Sequence, residues 1–356
     1  MAKKRTQTTL KRSRLNWLYT DAAQGKDGCF STGQGDNARS WNSLSRAIKL
    51  NPGFAPGYCD RGFMYLLKNR PLRAQADFDQ ALRLAPDLAA VYNGRGIARC
   101  EQEDYEGGIA DFSQAIKLSP NEVAWYYNRG LAHSSKDNFD QAASDLTGAI
   151  GRGLQTGQTY HTRALVYMNQ KNFDAALADL DRAIALEPAM AEAYSNRGTI
   201  HSLRKAYDQA IPDFAKAIEL KSDFTAAYAN RGLAYGGKRE FDRAIDDFTQ
   251  SINHGMHNTT IFYNRGIAYF ETGDYDRAIK DFSQVILLDR GNALWYYNRG
   301  NAYLKQANFN RAIADFTRAI ELKPNFKAAY LQRSIAHQNK GDHKKATEDM
   351  KKSMGL

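Results

Sequence analysis

The chain contains 356 residues, of which 43% are hydrophobic and 25% are charged, and its formal net charge is +10. No stretch of about 18 apolar residues occurs, so we expect no membrane-spanning helix. The three cysteines lack the spacing of a metal site or a disulfide framework, which favours a reducing compartment and a cytoplasmic location.

Residues 1–37 are predicted to form a basic, flexible tail with a Gly-rich linker. Residues 1–54 contain ten Lys or Arg against three Asp or Glu, whereas the rest of the chain contains 39 against 36. Such a tail contacts nucleic acid or an anionic surface, directs the protein to the nucleus or an organelle, or remains solvated. The tail residues predicted to make such contacts, all within residues 1–20, are Lys3, Lys4, Arg5, Lys11, Arg12 and Arg14.

Residues 38–54 are interpreted as a capping half-repeat that precedes a regular array. Ala47 and Pro52 fall at the positions where the later units carry a small residue and a helix-ending proline. The segment therefore matches the second helix of a unit whose first helix is absent.

From residue 55 to residue 356 the sequence repeats every 34 residues, which is typical of a solenoid built from one unit. An aromatic residue at position 4 and a small residue at position 8 share one face of a first helix. A polar turn then precedes position 17, and a second helix carries apolar residues at positions 20, 24 and 27. The nine units begin at Ala55, Ala89, Val123, Gly157, Ala191, Thr225, Thr259, Ala293 and Lys327.

This pattern resembles the tetratricopeptide repeat (TPR) family over residues 55–356. Asn-Arg-Gly at positions 6–8 is similar to a variant of the family in which arginine replaces the commoner leucine at position 7. The resemblance implies an all-α, right-handed superhelical solenoid of helix-turn-helix units with a concave groove. It also implies a role as a protein-binding scaffold.

An arginine at position 7 and an aspartate at position 23 recur in all nine units, from Arg61 and Asp77 to Arg333 and Asp349. In a helical hairpin with its turn near positions 14–17, these two positions lie opposite each other. We therefore predict an Arg–Asp pair in every unit, because the planar guanidinium can bond a carboxylate twice. The alternative is a row of exposed arginines that bind acidic ligands.

In the TPR family, positions 2, 5, 6, 9, 12 and 13 of the first helix line the groove. The asparagines at position 6 are similar to the asparagine ladder in the TPR superhelix of O-linked N-acetylglucosamine transferases, which holds polypeptide main chain. Asparagine carries both a donor and an acceptor, so a row of them can bind an extended backbone; the alternative is that they bond only to the neighbouring helix. Apolar residues at positions 5 and 9 would contact side chains of the partner. The predicted partner-binding residues are Tyr127, Asn128, Leu131, Asn196, Asn230, Leu233, Tyr263, Asn264, Ile267, Tyr297, Asn298 and Asn301.

No HExxH, GxSxG, P-loop or paired-cysteine motif occurs, so we predict no catalytic, cofactor-binding or metal-binding residues. The leading hypothesis is a non-enzymatic scaffold or adaptor that binds a polypeptide in its groove and supports assembly of a larger complex. The alternative is a factor associated with nucleic acid or ribonucleoprotein and anchored by the basic tail. The oligomeric state stays open, because repeat arrays are also able to stack end to end.

Overall fold

The computed structural model describes residues 37–355, with side chains from Asn42 onward. This part of the chain contains 19 α-helices and no β-strand. Helix α1 spans Asn37–Leu50 and precedes the first repeat. The tail residues Lys3, Lys4, Arg5, Lys11, Arg12 and Arg14 lie outside the described residues.

Two compact units divide the chain, one ending at Pro188 and one beginning at Ala189. The first unit contains α1 and repeats 1–4, and the second contains repeats 5–9. The helix pairs of the first unit are α2 Ala55–Leu67 with α3 Pro71–Leu84, α4 Ala89–Cys100 with α5 Tyr105–Leu118, α6 Val123–Ser135 with α7 Phe139–Gly151, and α8 Gly157–Asn169 with α9 Phe173–Leu186.

The second unit continues the same pattern, and each repeat again starts its helices at positions 1 and 17. Its helix pairs are α10 Ala191–Leu203 with α11 Tyr207–Leu220, α12 Thr225–Gly237 with α13 Phe241–Asn253, α14 Thr259–Glu271 with α15 Tyr275–Leu288, α16 Ala293–Lys305 with α17 Phe309–Leu322, and α18 Lys327–Lys340 with α19 His343–Met354. The predicted all-α class and the helical hairpin of each repeat are confirmed.

The turn between the two helices of a repeat has the same backbone in all nine cases. Position 15 adopts a positive φ of 56° to 91°, which ends the first helix and lets the chain reverse. Glycine supplies this conformation in only two repeats. The residues at this position are Asn69, Glu103, Asp137, Lys171, Lys205, Arg239, Gly273, Ala307 and Gly341.

Each hairpin closes where the small residue at position 8 meets the bulky residue at position 24. A Cβ built on Gly266 would lie 2.9 Å from Cε1 of Phe282, so a larger residue would push the ring away. Repeat 4 carries Ala164 at position 8 and the smaller Leu180 at position 24, and both are fully buried. The two positions therefore share one volume in the core.

The predicted Arg–Asp pairs are confirmed in every repeat. In repeat 7, Arg265 donates from Nε and Nη2 to the two carboxylate oxygens of Asp281, both at 2.8 Å. The arginines are half-buried and their aspartates are buried, so the alternative of exposed arginines that bind acidic ligands is wrong. The pairs are Arg61–Asp77, Arg95–Asp111, Arg129–Asp145, Arg163–Asp179, Arg197–Asp213, Arg231–Asp247, Arg265–Asp281, Arg299–Asp315 and Arg333–Asp349.

The same guanidinium groups make two further contacts. Each lies 5.5 to 5.9 Å from the centre of the aromatic ring at position 4 of its own helix. In at least six repeats Nη1 also donates to a hydroxyl or carboxylate at position 25 of the preceding repeat. In repeat 8 the hydrogen bonds to Asp315 raise the pKa of Arg299, against the desolvation that lowers it. The arginine thus fixes both the hairpin and its packing on the previous hairpin.

Candidate functional site

The candidate surface is the side of each first helix formed by positions 2, 5, 6, 9 and 12, which we call the A-face. In repeats 6–8 nearly all of these residues are half-buried or exposed, and Ala229 alone is buried. Their side chains are therefore accessible to a partner. The A-face of these three repeats consists of Ala226, Ala229, Asn230, Leu233, Gly236, Thr260, Tyr263, Asn264, Ile267, Phe270, Leu294, Tyr297, Asn298, Asn301 and Leu304.

The asparagines at position 6 of repeats 6–8 are half-buried, and each uses one amide N–H within the protein. Two donate to the first helix of the preceding repeat, and the third donates to its own helix. Among the described residues, none of their Oδ1 atoms accepts a hydrogen bond. Nδ2 donates from Asn230 to Thr199 Oγ1 at 3.4 Å, from Asn264 to the Thr260 carbonyl at 2.7 Å, and from Asn298 to Tyr263 Oη at 3.0 Å.

Aromatic side chains border this asparagine row. The ring of Tyr263 packs on that of Trp295 at a centroid distance of 4.8 Å, and burial raises the pKa of Tyr263. Tyr297 packs on Phe326 at 5.0 Å. Both tyrosines, together with Asn301, remain half-buried, so neighbouring repeats cover only part of each side chain.

A cleft of about 150 Å³ opens on the A-face between repeats 6 and 7. Its walls bring together three predicted partner-binding residues, Leu233, Asn264 and Ile267, with Ala268 and Phe248 at its base. The cleft exists because position 12 is Gly236, where a Cβ would meet no atom within 4 Å. Repeats 7 and 8 carry the bulky Phe270 and Leu304 at this position, and repeat 5 carries Ser202.

The sequence prediction did not single out Gly236. The sequence nevertheless contains a signal for this position, because Gly236 and Gly237 form the only Gly-Gly pair at positions 12 and 13 of the nine units. Glycine in a helix costs about 1 kcal/mol relative to alanine, which makes two in succession unusual. Of the two, Gly237 has a packing role, since a Cβ there would lie 2.4 Å from Cζ of Tyr207.

Three predicted partner-binding residues of the first unit are not accessible. Tyr127, Asn128 and Leu131 are 2%, 0% and 3% exposed, and their role in partner binding stays a prediction. Asn128 donates from Nδ2 to Asn93 Oδ1 at 2.8 Å, and Tyr127 Oη lies 3.4 Å from Thr162 Oγ1. The accessible candidates are therefore those of the second unit, including Asn196, which is half-buried.

Comparison with known proteins agrees with the repeat geometry. Models described as tetratricopeptide repeat or TPR repeat match residues 96–137, 161–223, 266–307 and 293–326. The chain is a tetratricopeptide repeat protein. TPR arrays are in general non-catalytic protein-interaction modules, and the TPR repeats of this chain support a role as a protein-interaction scaffold.

Two solved TPR structures with TM-scores above 0.5 show the same fold. The C-terminal part of a TPR repeat-containing protein from Cytophaga hutchinsonii is 18% identical with a TM-score of 0.55, over 65% of this chain and 95% of that one. A TPR protein from Parabacteroides merdae is 15% identical with a TM-score of 0.51, over 74% and 99%. YrrB, described as a TPR protein with an unusual peptide-binding site, is 22% identical with a TM-score of 0.47, over 49% and 91%. No curated protein matches this TPR sequence.

The described part of this chain includes neither a membrane-spanning helix nor a metal-binding cluster. None of the helices within residues 37–355 combines the length and the apolar character needed to cross a bilayer. The same residues include no group of three or more His, Cys, Asp or Glu side chains placed to bind a metal ion.

Proposed function

We propose that the second unit binds an extended polypeptide segment on the A-face of repeats 6–8, and that the protein acts as an adaptor in a larger assembly. The observation that carries the proposal is the accessible asparagine row beside an apolar cleft. Both features lie on the face that the TPR resemblance assigns to partner binding. Catalysis is not part of the proposal.

The asparagine row supplies backbone recognition. Asn230, Asn264 and Asn298 occupy the same position in the first helices of successive repeats, and the Oδ1 of each accepts no hydrogen bond from the described residues. The Oδ1 atoms would accept N–H groups of an extended partner, and each remaining amide N–H would donate to its carbonyls. Main-chain recognition of this kind tolerates many sequences.

The cleft adds a preference for one apolar side chain. Leu233, Ile267 and Phe248 form apolar walls, and Asn264 joins the cleft to the asparagine row. A cleft of about 150 Å³ is large enough for an aliphatic side chain but too small for a folded element. The expected ligand is therefore an extended segment that inserts a Leu, Ile, Val or Met between repeats 6 and 7.

The test starts from random peptides selected on the full-length protein, with the affinity of the selected sequences measured by fluorescence polarisation. Replacing Asn230, Asn264 and Asn298 together by alanine should weaken binding at least about tenfold, since each hydrogen bond contributes about 0.5–1.5 kcal/mol. The matched control replaces Asn253, Asn310 and Asn325, which are exposed away from the A-face. Equal binding by the two triple variants would reject the asparagine row.

A second pair of variants tests the cleft. Gly236→Leu should fill it and abolish the preference for an apolar anchor, whereas Gly236→Ala should largely keep binding. Both substitutions raise helix propensity, so weaker binding by the leucine variant would not be due to unfolding. If selected peptides bind Gly236→Leu as tightly as wild type, the cleft is not the anchor site.

Three interpretations of the sequence stay predictions. They are nucleic-acid binding through residues 1–20 as the alternative function, the cytoplasmic location, and the similarity to the asparagine ladder of O-linked N-acetylglucosamine transferases. Nuclease treatment and salt titration separate the first from peptide binding, because phosphate contacts weaken steeply with salt. Binding that disappears on nuclease treatment, with no peptide selected, would favour the tail over the A-face.

A further inference from the structure

The turn that joins the two helices of a repeat carries charged side chains at positions 14–19, which we call the turn edge. In repeats 6 and 7 these positions, 238–243 and 272–277, contain four Lys or Arg and four Asp or Glu. In repeats 8 and 9 the same positions, 306–311 and 340–345, contain four Lys or Arg and a single acid, Asp342. The basic residues are thus retained while most of their acidic counterparts are lost.

The acid at position 16 binds the arginine at position 19 in repeats 6 and 7. Arg243 Nη1 lies 2.8 Å from Glu240 Oε2 in repeat 6. Arg277 Nε lies 3.3 Å from Asp274 Oδ2 in repeat 7. Position 16 of repeat 8 is asparagine, so the exposed Arg311 has no carboxylate in this place.

The acid at position 18 binds the side chain at position 14 of the next repeat. Lys238 Nζ donates to Asp208 Oδ1 at 2.8 Å in this way. The same contact joins Lys136 to Glu106, Gln170 to Asp140, and Gln306 to Asp276. Between repeats 8 and 9 the acid is replaced by Asn310, which leaves the exposed Lys340 at position 14 without a carboxylate opposite it. Since these two positions adjoin, Lys340 lies beside Asn310 and its neighbour Arg311.

The other two basic residues, Lys344 and Lys345, lie in the first turn of α19. Positive charge is unfavourable there because the helix dipole is positive at the N-terminus. Six of the other second helices carry Asp or Glu in this turn. The N-cap Asp342 makes no side-chain cap hydrogen bond and instead lies 3.3 Å from His337 Nδ1. An anionic ligand would complement both the lysines and the helix N-terminus.

We propose that the turn edge of repeats 8 and 9 binds an acidic segment of a partner polypeptide. The side chains that would form ion pairs with it, which we call the cationic edge, are Arg311, Lys340, Lys344 and Lys345. All four are exposed, and none takes part in the ion pairs of repeats 8 and 9 among the described residues. Asp and Glu side chains of the partner would supply the carboxylates that Asn308 and Asn310 do not.

Two observations favour carboxylates over the phosphates and bases of a nucleic acid. Carboxylates occupy the equivalent places in repeats 6 and 7, where they bind arginine and lysine directly. Single-stranded nucleic acid also needs accessible aromatic rings on which its bases stack. The ring beside the cationic edge is Tyr303, which has the guanidinium groups of Arg299 and Arg311 at 5.9 and 5.6 Å from its centre. A base would have to displace one of them.

The cationic edge is separate from the A-face, which consists of positions 2, 5, 6, 9 and 12 of the first helices. The inference therefore goes beyond the proposed function and does not depend on it. With both surfaces, the second unit would hold one segment through backbone hydrogen bonds and a second segment through ion pairs.

The test measures binding of fluorescein-labelled octaglutamate to the full-length protein, with the six Lys and Arg of residues 1–14 replaced by glutamine so that they do not contribute. Asn308→Asp with Asn310→Asp should weaken binding at least about fivefold, because the new acids would pair with the cationic edge internally. The matched control, Asn253→Asp with Asn325→Asp, adds the same charge at exposed sites elsewhere in the second unit and should bind like its parent. Equal affinity of the two double variants would overturn the proposal.

Stability and ligand class are checked with the same proteins. Positions 16 and 18 are Asp274 and Asp276 in repeat 7, so the Asn308 and Asn310 double variant should resist urea at least as well as its parent. Octaglutamine should not bind, and an eight-residue oligothymidylate should bind more weakly than octaglutamate. If the oligothymidylate binds more tightly, or octaglutamine binds equally well, the surface is not a site for acidic polypeptide.

Zero-length crosslinking with a carbodiimide locates the bound peptide, because this reagent joins carboxylates to lysine amines. Mass spectrometry should find octaglutamate attached to Lys340, Lys344 or Lys345. Attachment confined to lysines outside this group would contradict the placement. The triple asparagine variant of the A-face should give the same products, so a failure of the proposed function and a failure of this inference are distinguishable.

Discussion

Arg265 Nη1 donates a hydrogen bond to Thr249 Oγ1 of the preceding repeat at 3.1 Å, while its other two donors bind Asp281. The arginine therefore joins successive hairpins as well as the two helices of one hairpin. Position 25 supplies the acceptor as Asp, Ser or Thr in the repeats that make this bond. Between repeats 5 and 6 the position is Ala215, which offers Arg231 no acceptor.

Ala215→Thr should stabilise the junction between repeats 5 and 6. The new hydroxyl would accept from Arg231 as Thr249 does from Arg265, and a hydrogen bond to a charged group contributes about 1.5–3 kcal/mol. Urea unfolding of the full chain, with hydrogen exchange of α11 and α12, measures the gain. The control is Ala215→Val, which has the same shape and β-branching without the hydroxyl. If threonine and valine give equal stability, the third hydrogen bond contributes nothing measurable.

The shared volume of positions 8 and 24 leads to a compensation experiment. Gly266→Ala should destabilise repeat 7 by about 1–3 kcal/mol, because the new Cβ would lie 2.9 Å from the Phe282 ring. Adding Phe282→Leu should recover part of the loss, since Ala164 and Leu180 form this combination in repeat 4. Thermal and urea unfolding of the two single variants and the double variant give the coupling energy. Simple additivity of the two losses would contradict the shared-volume account.

Pro212 lies inside α11 and is exposed, so it removes a backbone hydrogen bond without a packing contribution that would offset the loss. Pro212→Ala should raise the free energy of unfolding by about 1–3 kcal/mol. Ala314→Pro places proline at the equivalent exposed position of α17 and should lower stability by a similar amount. Urea denaturation measures the free energy of unfolding of both variants. If Pro212→Ala is neutral or destabilising, α11 depends on the proline.

His133 predicts a pH dependence. Its Nδ1 is buried without a hydrogen bond, and burial lowers its pKa, an effect that Asp145 partly opposes. The His133 imidazole therefore binds a proton less tightly in the folded protein than in the unfolded chain. Stability is at its full value above the unfolded-state pKa of about 6.5 and is lost as pH falls through that value toward the lower folded pKa.

The variant His133→Tyr should remove this dependence, because Tyr167 and Tyr235 occupy the same position in repeats 4 and 6. Unfolding free energies at about pH 8 and about pH 5.5 are compared between wild type and variant. Wild type should lose stability relative to the variant on acidification. A difference that stays constant between the two pH values would show that His133 does not titrate differently on folding.

The helix boundaries and the Arg–Asp pairs could be predicted because they depend on spacing within one repeat. Every first helix begins at position 1 and every second helix at position 17, where the 34-residue pattern places them. Arg265 and Asp281 meet because two helices joined by a short turn leave few alternatives for facing positions. Local pattern and local geometry are sufficient for such contacts.

The accessible part of the candidate site was not predictable in the same way. The cleft at Gly236 is formed by side chains from three helices. It is open because Gly236 has no side chain to fill it. The third hydrogen bond of Arg265 also depends on the previous repeat. Periodicity within one repeat does not contain this information.

The sequence by itself determined the all-α repeat architecture, the nine helical hairpins and the internal Arg–Asp pairs, because each follows from residues less than one period apart. The tertiary structure alone decided which surface is accessible. Asn128 and Asn298 lie in identical hexapeptides, yet Asn128 is fully buried and Asn298 is half-buried. The exposure of a side chain depends on which residues pack against it in three dimensions rather than on its neighbours in the sequence.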